Sequence, residues 1–310
     1  MQRIFTIVLN WNGKSDTLTC IESLQKQTHP TTVICVDNGS GDDSAAAIRA
    51  HFPAITLIET GANLGYAGGN NVGIRHALAS DADFIFVLNN DVTLEPDCIE
   101  MLVNECVARP EIDAAAPKAV FLNRPHIICF AGGHISADAH TYPIGHGDLN
   151  KPEYDVASPT EWITGSALFV RRETFERVGL FDERFFLLYE DVDWSLRARD
   201  SGCELHYLPA ARVRHAGSAS FGGKGSPLYQ YYRTRNSLLW IERHFSFPKS
   251  ISLRARMIAD SWQRSKRLSN PGPERARMRS ATVAGVRDYA LRRFGCGPAG
   301  LSISQIPQAG

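Results

Sequence analysis

The sequence predicts an α/β fold built on a mainly parallel sheet flanked by helices, and three observations carry that prediction. Short apolar runs of strand length recur through the N-terminal third. Segments with apolar residues at helical spacing alternate with them. Several runs end in Asn or Asp, as parallel strands do when they present their C-terminal tips at one ligand-binding edge.

The run 3–9 (RIFTIVL) suits a buried strand, and 15–26 follows with Leu18, Ile21 and Leu24 near helical spacing behind a Ser15 or Asp16 cap. A second strand, 32–36 (TVICV), ends in the turn formers Asp37-Asn38-Gly39-Ser40-Gly41-Asp42, ahead of a helix over 44–51. The third strand, 55–59, leads into Asn63-Leu64-Gly65-Tyr66-Ala67-Gly68-Gly69-Asn70-Asn71, and 72–79 then has a helical pattern. The glycine pair here matches neither a phosphate loop nor a dinucleotide fingerprint; it either turns the chain or brings backbone close to a ligand. A fourth strand, 84–88 (FIFVL), delivers Asn89-Asn90-Asp91. Right-handed crossovers place Asn10-Trp11-Asn12, Asp37 and Asn89-Asn90-Asp91 along one edge.

Beyond Glu95 a helix runs to about Ala108, with Pro96 in its first turn. Residues 121–160 read as hairpins and loops; His126, His134, His140 and His146 fit no metal-ligand spacing and read as loop histidines. The segment 161–171 (EWITGSALFVR) is a strand interrupted at Gly165-Ser166.

With 310 residues and 44% hydrophobic content, the chain can form one large α/β domain with an appendage, or two smaller domains. Its formal net charge is zero, which gives no indication of a nucleic-acid partner. The distribution is uneven. From Ser246 onward twelve Lys/Arg face three acids, so the body is correspondingly acidic. Leu253, Met257, Trp262 and Leu268 interleave with this basic tail, which reads either as amphipathic helices resting on an anionic membrane or as a solvated helix or homodimer contact.

The seven cysteines form no C-x-x-C pair and read as free thiols in a reducing compartment. The apolar N-terminus meets Asn10, Asn12 and Lys14 too early for a signal-peptide core, and no apolar run approaches the roughly 20 residues of a membrane span. A cytoplasmic protein is expected, either soluble or peripheral at the inner face of the cytoplasmic membrane.

The chemistry rests on acids. In Tyr189-Glu190-Asp191-Val192-Asp193-Trp194, paired carboxylates stand at the start of a helix expected over 192–200. The helix dipole favours ionised Asp191 while the Glu190 charge opposes it, which suits a base that is ionised yet proton-accepting; the plainer reading is an N-cap in an acidic turn. With Asp91 at a strand tip and His215 downstream, the combination suggests metal-assisted group transfer.

Six motifs in order, Ile7-Val8-Leu9-Asn10-Trp11-Asn12-Gly13, Val36-Asp37-Asn38-Gly39-Ser40, 63–71, Leu88-Asn89-Asn90-Asp91, Trp162-Ile163-Thr164-Gly165-Ser166 and 189–194, resemble the family 2 glycosyltransferases, in particular their rhamnosyltransferase-like branch, over about residues 3–240. The resemblance implies a GT-A fold over 1–245, with a nucleotide-sugar half (1–115) and an acceptor half (116–245), and a basic helical extension over 246–310. It implies inverting transfer from a nucleoside-diphosphate sugar to a hydroxyl of a polysaccharide or lipid-linked glycan, with L-rhamnose from dTDP-rhamnose as the first expectation. The alternatives are another hexose or galactofuranose from a UDP-sugar, or a catalytically weakened nucleotide-sugar-binding protein.

Carried over by position, the resemblance makes Asp191 the general base and gives Asp91 and His215 a divalent cation, Mg²⁺ or Mn²⁺. It assigns the donor to Asn10, Trp11, Asn12, Asp37, Asn63, Gly65, Asn70, Asn89, Asn90, Arg233 and Arg235, with Asp37 on the base and Trp11 stacked near it. Trp162, Gly165, Ser166, Glu190 and Trp194 fall to the acceptor. The chain departs from the family pattern at Asn89-Asn90-Asp91, where many relatives have Asp-x-Asp. It also lacks an Arg at Gly69 or Asn70, leaving Arg233 or Arg235 to meet the diphosphate. Gln230-x-x-Arg233 is similar to a motif of the processive synthases, but Thr234 stands where they have Trp, which favours a non-processive enzyme.

Overall fold

The computed structural model describes residues 1–217, 225–267 and 272–298. Leu268 and the tail beyond 298 lie outside the described residues. The chain divides into two compact units: Met1–Asp182 with Glu190–Gly217, and Glu183–Tyr189 with the chain from Ser218 onward.

The first unit begins with strands and helices in alternation: β1 (Ile4–Asn10), α1 (Lys14–Gln25), β2 (Thr31–Asp37), α2 (Ser44–His51), β3 (Thr56–Glu59), α3 (Gly65–Ala79) and β4 (Phe84–Asn89). Strand β1 lies parallel between β2 and β4, with β3 parallel to β2 on the outside. Ile7, Val8, Ile34, Cys35, Val36 and Ile85 to Leu88 are fully buried, which explains why these strands read as continuous apolar runs instead of alternating ones. Removing each large apolar side chain from water is worth roughly 1.5–3 kcal/mol.

The second half of the sheet is mixed. It contains β5 (Val92–Leu94), then after α4 (Cys98–Ala108) β6 (Ile112–Phe121), β7 (Arg124–Phe130), the small hairpin of β8 (Gly133–Ile135) and β9 (Thr141–Pro143), β10 (Ser158–Pro159) and β11 (Ala167–Arg171). Helices α5 (Arg172–Val178) and α6 (Glu190–Asp200) precede β12 (Glu204–His215). The sheet order is β10-β12-β6-β11-β4-β1-β2-β3, with β5 on β12 and β7 on β6. Strand β11 runs antiparallel between β4 and β6, while β12 is parallel to β6.

Several boundaries differ from expectation. Helix α4 starts at Cys98, with Asp97 at its N-cap, so Pro96 lies ahead of it and not in its first turn. Helix α3 starts at Gly65 rather than 72, because Gly69 and Gly73 lie within it where it packs closest to the sheet. A Cβ on Gly69 would come within 2.4 Å of Leu9 Cδ1, and one on Gly73 within 2.5 Å of Ile7 Cγ2. The glycine pair therefore opens a helix, and Gly69 lets that helix approach β1. Only 167–171 of the segment 161–171 is strand, and α6 starts at Glu190, two residues earlier than expected.

The second unit contains α7 (Pro227–His244), α8 (Lys249–Arg267) and α9 (Pro273–Ala290). Ser226 caps α7 by accepting a hydrogen bond from Tyr229 N–H, with Pro227 just inside the helix. Buried Gln230 ties the three helices together, donating to Ser261 O and to Thr282 Oγ1 at 2.9 Å each. Among the described residues no helix is long and apolar enough to cross a membrane.

Candidate active site

Parallel pairing brings the polar strand tips level: Asn10 stands opposite Asp37, and Leu9 opposite Asn89. Asn10 is buried and uses both ends of its amide. Its Nδ2 donates to Asp37 Oδ2 at 2.7 Å and Ser40 Oγ at 3.0 Å; its Oδ1 accepts from Gly13 N–H at 3.2 Å and the Thr17 hydroxyl at 2.7 Å. It organises the edge. Asp37 also accepts from Ser40 N–H, and Asn12, at a positive φ of 50°, accepts from Gly41 N–H at 2.7 Å. Half-buried Trp11 lies between Asn10 and Asn12 in the chain.

Other predicted donor residues also brace loops. Asn63 Oδ1 accepts from Gly65 N–H at 2.8 Å and from Asn38 Nδ2 at 3.2 Å, and Asn90 Nδ2 donates to Thr17 at 3.0 Å. Asn70 and Asn89 differ: each keeps a buried Oδ1 with no hydrogen-bond partner in the protein. Buried polar atoms are rarely left so, and two in this region are what a bound polar ligand would complete.

Strand pairing also creates the Asp91–His215 contact. Val92 opposes His215 in the β5–β12 ladder, and Ala216 N–H donates to Asp91 O at 3.0 Å. His215 Nε2 consequently lies 3.2 Å from Asp91 Oδ1, yet neither atom makes an aligned hydrogen bond. On the other side of the ring, Nδ1 lies 3.5 Å from Cys129 Sγ. Burial would lower the His215 pKa, but the Asp91 carboxylate and the Cys129 sulfur raise it to about 10. Burial likewise pushes the Cys129 thiol up, and His146 and His215 more than offset it, bringing it down to about 7.

These residues fit a divalent cation in a specific sense. A buried carboxylate oxygen and an imidazole nitrogen face each other without a proper hydrogen bond, and a cation between them would replace the imidazole proton. Among the described residues no group of three or more His, Cys, Asp and Glu side chains could hold a metal. The pair would supply two ligands, which would leave the remaining positions for phosphate oxygens and water.

Asp191 sits in the first turn of α6. Its Oδ2 accepts from Gly165 N–H at 2.9 Å and its Oδ1 from Val192 N–H at 2.8 Å. The Gly165 carbonyl in turn accepts from the Tyr66 hydroxyl at 2.5 Å, and Ser195 Oγ, accepting from Ile163 N–H, ties α6 to the same segment. Burial raises the Asp191 pKa while the backbone N–H groups hold it back. Glu190 is buried with Oε2 unpartnered; burial first, then the Asp191 charge, raise its pKa well above the carboxylate range. Tyr66 is raised too, by burial and then by Glu190, Asp191 and Asp91, so all three carboxyls act on one phenol.

Several predicted site residues occupy other positions. Trp194 is fully buried among Phe175 and Phe181, with Nε1 donating to Gly179 O at 2.9 Å, so it anchors α6 in the core instead of facing an acceptor. Trp162 is buried against Phe130 and Gly133. Ser166 is buried, and its carbonyl accepts from Asn89 N–H at 3.0 Å, which joins the 164–166 segment to the strand-tip edge. In the second unit, Arg235 is fully buried and donates to the carbonyls of Arg184, Phe185 and Gly295, between the rings of Tyr231 and Tyr232. Its guanidinium is committed to the fold, not offered to a diphosphate. Arg233 is half-buried, with Nη1 unpartnered. Tyr66 and Cys129 were not singled out from sequence; Tyr66 stands in the Gly-Tyr-Ala-Gly-Gly-Asn-Asn motif, whereas Cys129 carries no local signal.

The profile described as "Glycosyl transferase family 2" matches residues 6–127, and that of "Glycosyl transferase family group 2" matches residues 84–241, about half of the chain. The chain belongs to the family 2 glycosyltransferases. This glycosyltransferase is 29% identical over 266 residues (77% of the chain, 87% of the relative) to an N-acetylglucosaminyl-diphospho-decaprenol L-rhamnosyltransferase of Mycobacterium tuberculosis. It is 26% identical over 265 residues (81% and 83%) to the dTDP-rhamnosyl transferase RfbF of Shigella flexneri. Its fold is similar to a mannosyltransferase of Pyrobaculum calidifontis solved with GDP-Man and Mn²⁺, at TM-score 0.56 and 16% identity over 94% of this chain and 88% of that one. It is also similar to GalNAc-T7 solved with UDP, GalNAc and Mn²⁺, at TM-score 0.64 and 13% identity over 94% of this chain and 57% of that one. The glycosyltransferase thus has the GT-A fold, with helices towards its C-terminal end.

Proposed function

We propose that this glycosyltransferase transfers L-rhamnose from dTDP-rhamnose, with inversion, to a sugar hydroxyl of a lipid-linked cell-envelope glycan. The names of its rhamnosyl-transferring relatives support the sugar, and the diphospho-decaprenol relative supports the acceptor class. The observation that carries the mechanism is the unaligned Asp91–His215 pair, together with the Gly165-tethered Asp191, whose charge, like that of Asp91, raises the pKa of the same Tyr66 phenol.

When bound, the cation, Mg²⁺ or Mn²⁺, neutralises charge on the leaving nucleoside diphosphate as a Lewis acid. Asp91 and His215 would hold it. Asp37 and Trp11 bind the base end of the donor, and the unpartnered amide oxygens of Asn70 and Asn89 accept hydrogen bonds from donor hydroxyls. Asp191 removes the proton from the acceptor hydroxyl as that oxygen attacks the anomeric carbon from the face opposite the leaving group, which inverts its configuration. Glu190, kept protonated by burial and by its neighbour, leaves Asp191 as the charged member of the pair. The basic C-terminal helices rest on an anionic membrane surface and bring the enzyme to its lipid-linked acceptor.

The test is a panel of dTDP- and UDP-sugars incubated with a polyprenyl-diphosphate-linked N-acetylglucosamine acceptor and Mn²⁺. Release of dTDP from dTDP-rhamnose, with an inverted anomeric centre in the product, is expected. Faster turnover of a UDP-hexose or UDP-galactofuranose would overturn the donor assignment.

A further inference from the structure

Cys129 lies outside every role assigned above, yet it touches the residue on which cation binding depends. It belongs to β7, whose partner β6 also pairs with β12, the strand ending at His215. This shared partner brings Sγ to 3.5 Å from His215 Nδ1, on the side of the ring away from Asp91. The position is built from both sides: His146 Nδ1 lies 2.9 Å from the Cys129 carbonyl oxygen, and the His146 ring packs against Phe121 with centroids 5.5 Å apart.

For Nε2 to bind a cation its lone pair must be free, so the single proton of the neutral ring has to reside on Nδ1. That proton needs an acceptor. Metal-bound histidines ordinarily find one in a carboxylate, a backbone carbonyl or water. We propose that Cys129 Sγ fills this place, accepting the Nδ1 hydrogen and fixing the His215 tautomer and ring plane so that Nε2 is aimed at the Asp91 side. Cys129 is thus a positioning residue for the cation site, acting through His215 without touching the cation or the sugar. The inference rests on the Asp91–His215 reading of that site.

A sulfur acceptor is polarisable and makes a long contact, so its part is to set the orientation of the ring. Replacing Cys129 by Ala removes the acceptor and leaves a small gap. Replacement by Ser keeps an acceptor, on a shorter bond and with smaller reach.

The experiment measures Mn²⁺ binding to the full chain with saturating dTDP by electron paramagnetic resonance, in wild type, Cys129→Ala, Cys129→Ser and Asp91→Asn. The expected result is about a 10-fold weaker Mn²⁺ affinity for Cys129→Ala. Cys129→Ser should fall between it and wild type, and dTDP affinity in EDTA should not change. A structural role alone would lower thermal stability in EDTA without separating the metal and nucleotide constants. Loss of Mn²⁺ binding in Asp91→Asn with wild-type binding in Cys129→Ala overturns the positioning role and leaves the cation site standing. Wild-type binding in Asp91→Asn overturns the cation site itself, and this inference with it.

Discussion

Asp191 is held by the backbone of Gly165, whose N–H donates to Oδ2 at 2.9 Å, and the other face of that peptide segment receives the Tyr66 hydroxyl at 2.5 Å. A Cβ at position 165 would lie 2.9 Å from the Tyr66 oxygen and 3.1 Å from its Cε1. Either contact has to give, and because the hydroxyl is bonded to the Gly165 carbonyl itself, relief shifts this main chain and the carboxylate it holds. Gly165→Ala should therefore lower kcat by about 10- to 100-fold, since misplacing a reacting group by an ångström costs that much. The KM for the nucleotide sugar should change little. Steady-state kinetics with both substrates varied would check this, and an unchanged kcat would detach Gly165 from catalysis.

Asp191→Asn keeps the shape of the side chain and removes its ability to take a proton. Transfer should fall by at least about 100-fold. Donor binding, followed by thermal shift, should persist. A variant that transfers sugar at the wild-type rate would remove Asp191 from the role of base.

Glu190 provides a pH signature whose sign is fixed by burial. Its folded-state pKa is raised, so its contribution to stability is fully present below the ordinary carboxylate range and is lost as pH rises towards the folded value. Glu190→Gln keeps the neutral form at every pH. The variant should match wild type in acid and melt at a higher temperature than wild type in mildly alkaline buffer. A difference in melting temperature that does not vary with pH would contradict the assignment.

Arg235 separates two roles cleanly. If its guanidinium supports the second unit through the carbonyls of Arg184, Phe185 and Gly295, Arg235→Lys should lose about 3 kcal/mol or more in denaturant unfolding, because a planar fork is replaced by a single ammonium and buried carbonyls are left unmatched. If it bound a diphosphate, the variant would instead weaken donor binding with little change in unfolding.

How much of this was legible beforehand varies by element, and the reasons are physical. Strands β1, β2 and β4 are sealed on both faces over most of their length, so their residues are largely apolar and their tips could be read directly, including Asp37 and Asp91. Strand β6 carries Ala114-Ala115-Ala116-Pro117-Lys118, which has neither alternation nor β-branching, and β12 shifts register between Leu208 and Arg212 around Pro209. Neither announces a strand. Yet β12 is the element that carries His215 to Asp91, so the pair could be named from the family motifs while its geometry could not. Trp194 and Arg235 stand within motifs that mark a functional region, and sequence alone does not separate a residue that supports such a region from one that faces a ligand. Tyr66 and Cys129 owe their positions to contacts 99 and 86 residues away, which no local pattern encodes.

The basic tail gives the last prediction. On α8, Leu253, Met257 and Ser261 are buried, whereas Ile251, Ile258 and Trp262 are 47, 36 and 38% exposed. Spacings of seven and four residues place those three within one narrow sector of the helix, and Arg256, Lys266 and Arg267 are exposed on the same helix. Lys266 is the nearest of these to the stripe, and the Arg279 guanidinium lies over the Trp262 ring, 5.2 Å from its centroid; an apolar stripe with cations beside it partitions into the headgroup region of an anionic bilayer, where burial of the stripe and attraction to lipid phosphates add. Vesicles containing phosphatidylglycerol should therefore sediment the protein, purely phosphatidylcholine vesicles should do so poorly, and added salt should release it. Substituting Ile258 and Trp262 together by Ser should weaken the partitioning by about 10-fold, since each apolar side chain contributes roughly a kcal/mol or more when removed from water. Transfer to a short water-soluble acceptor should be preserved, because neither residue belongs to the donor or cation site. Equal sedimentation of the double variant and the wild type would mean that the stripe does not enter the bilayer.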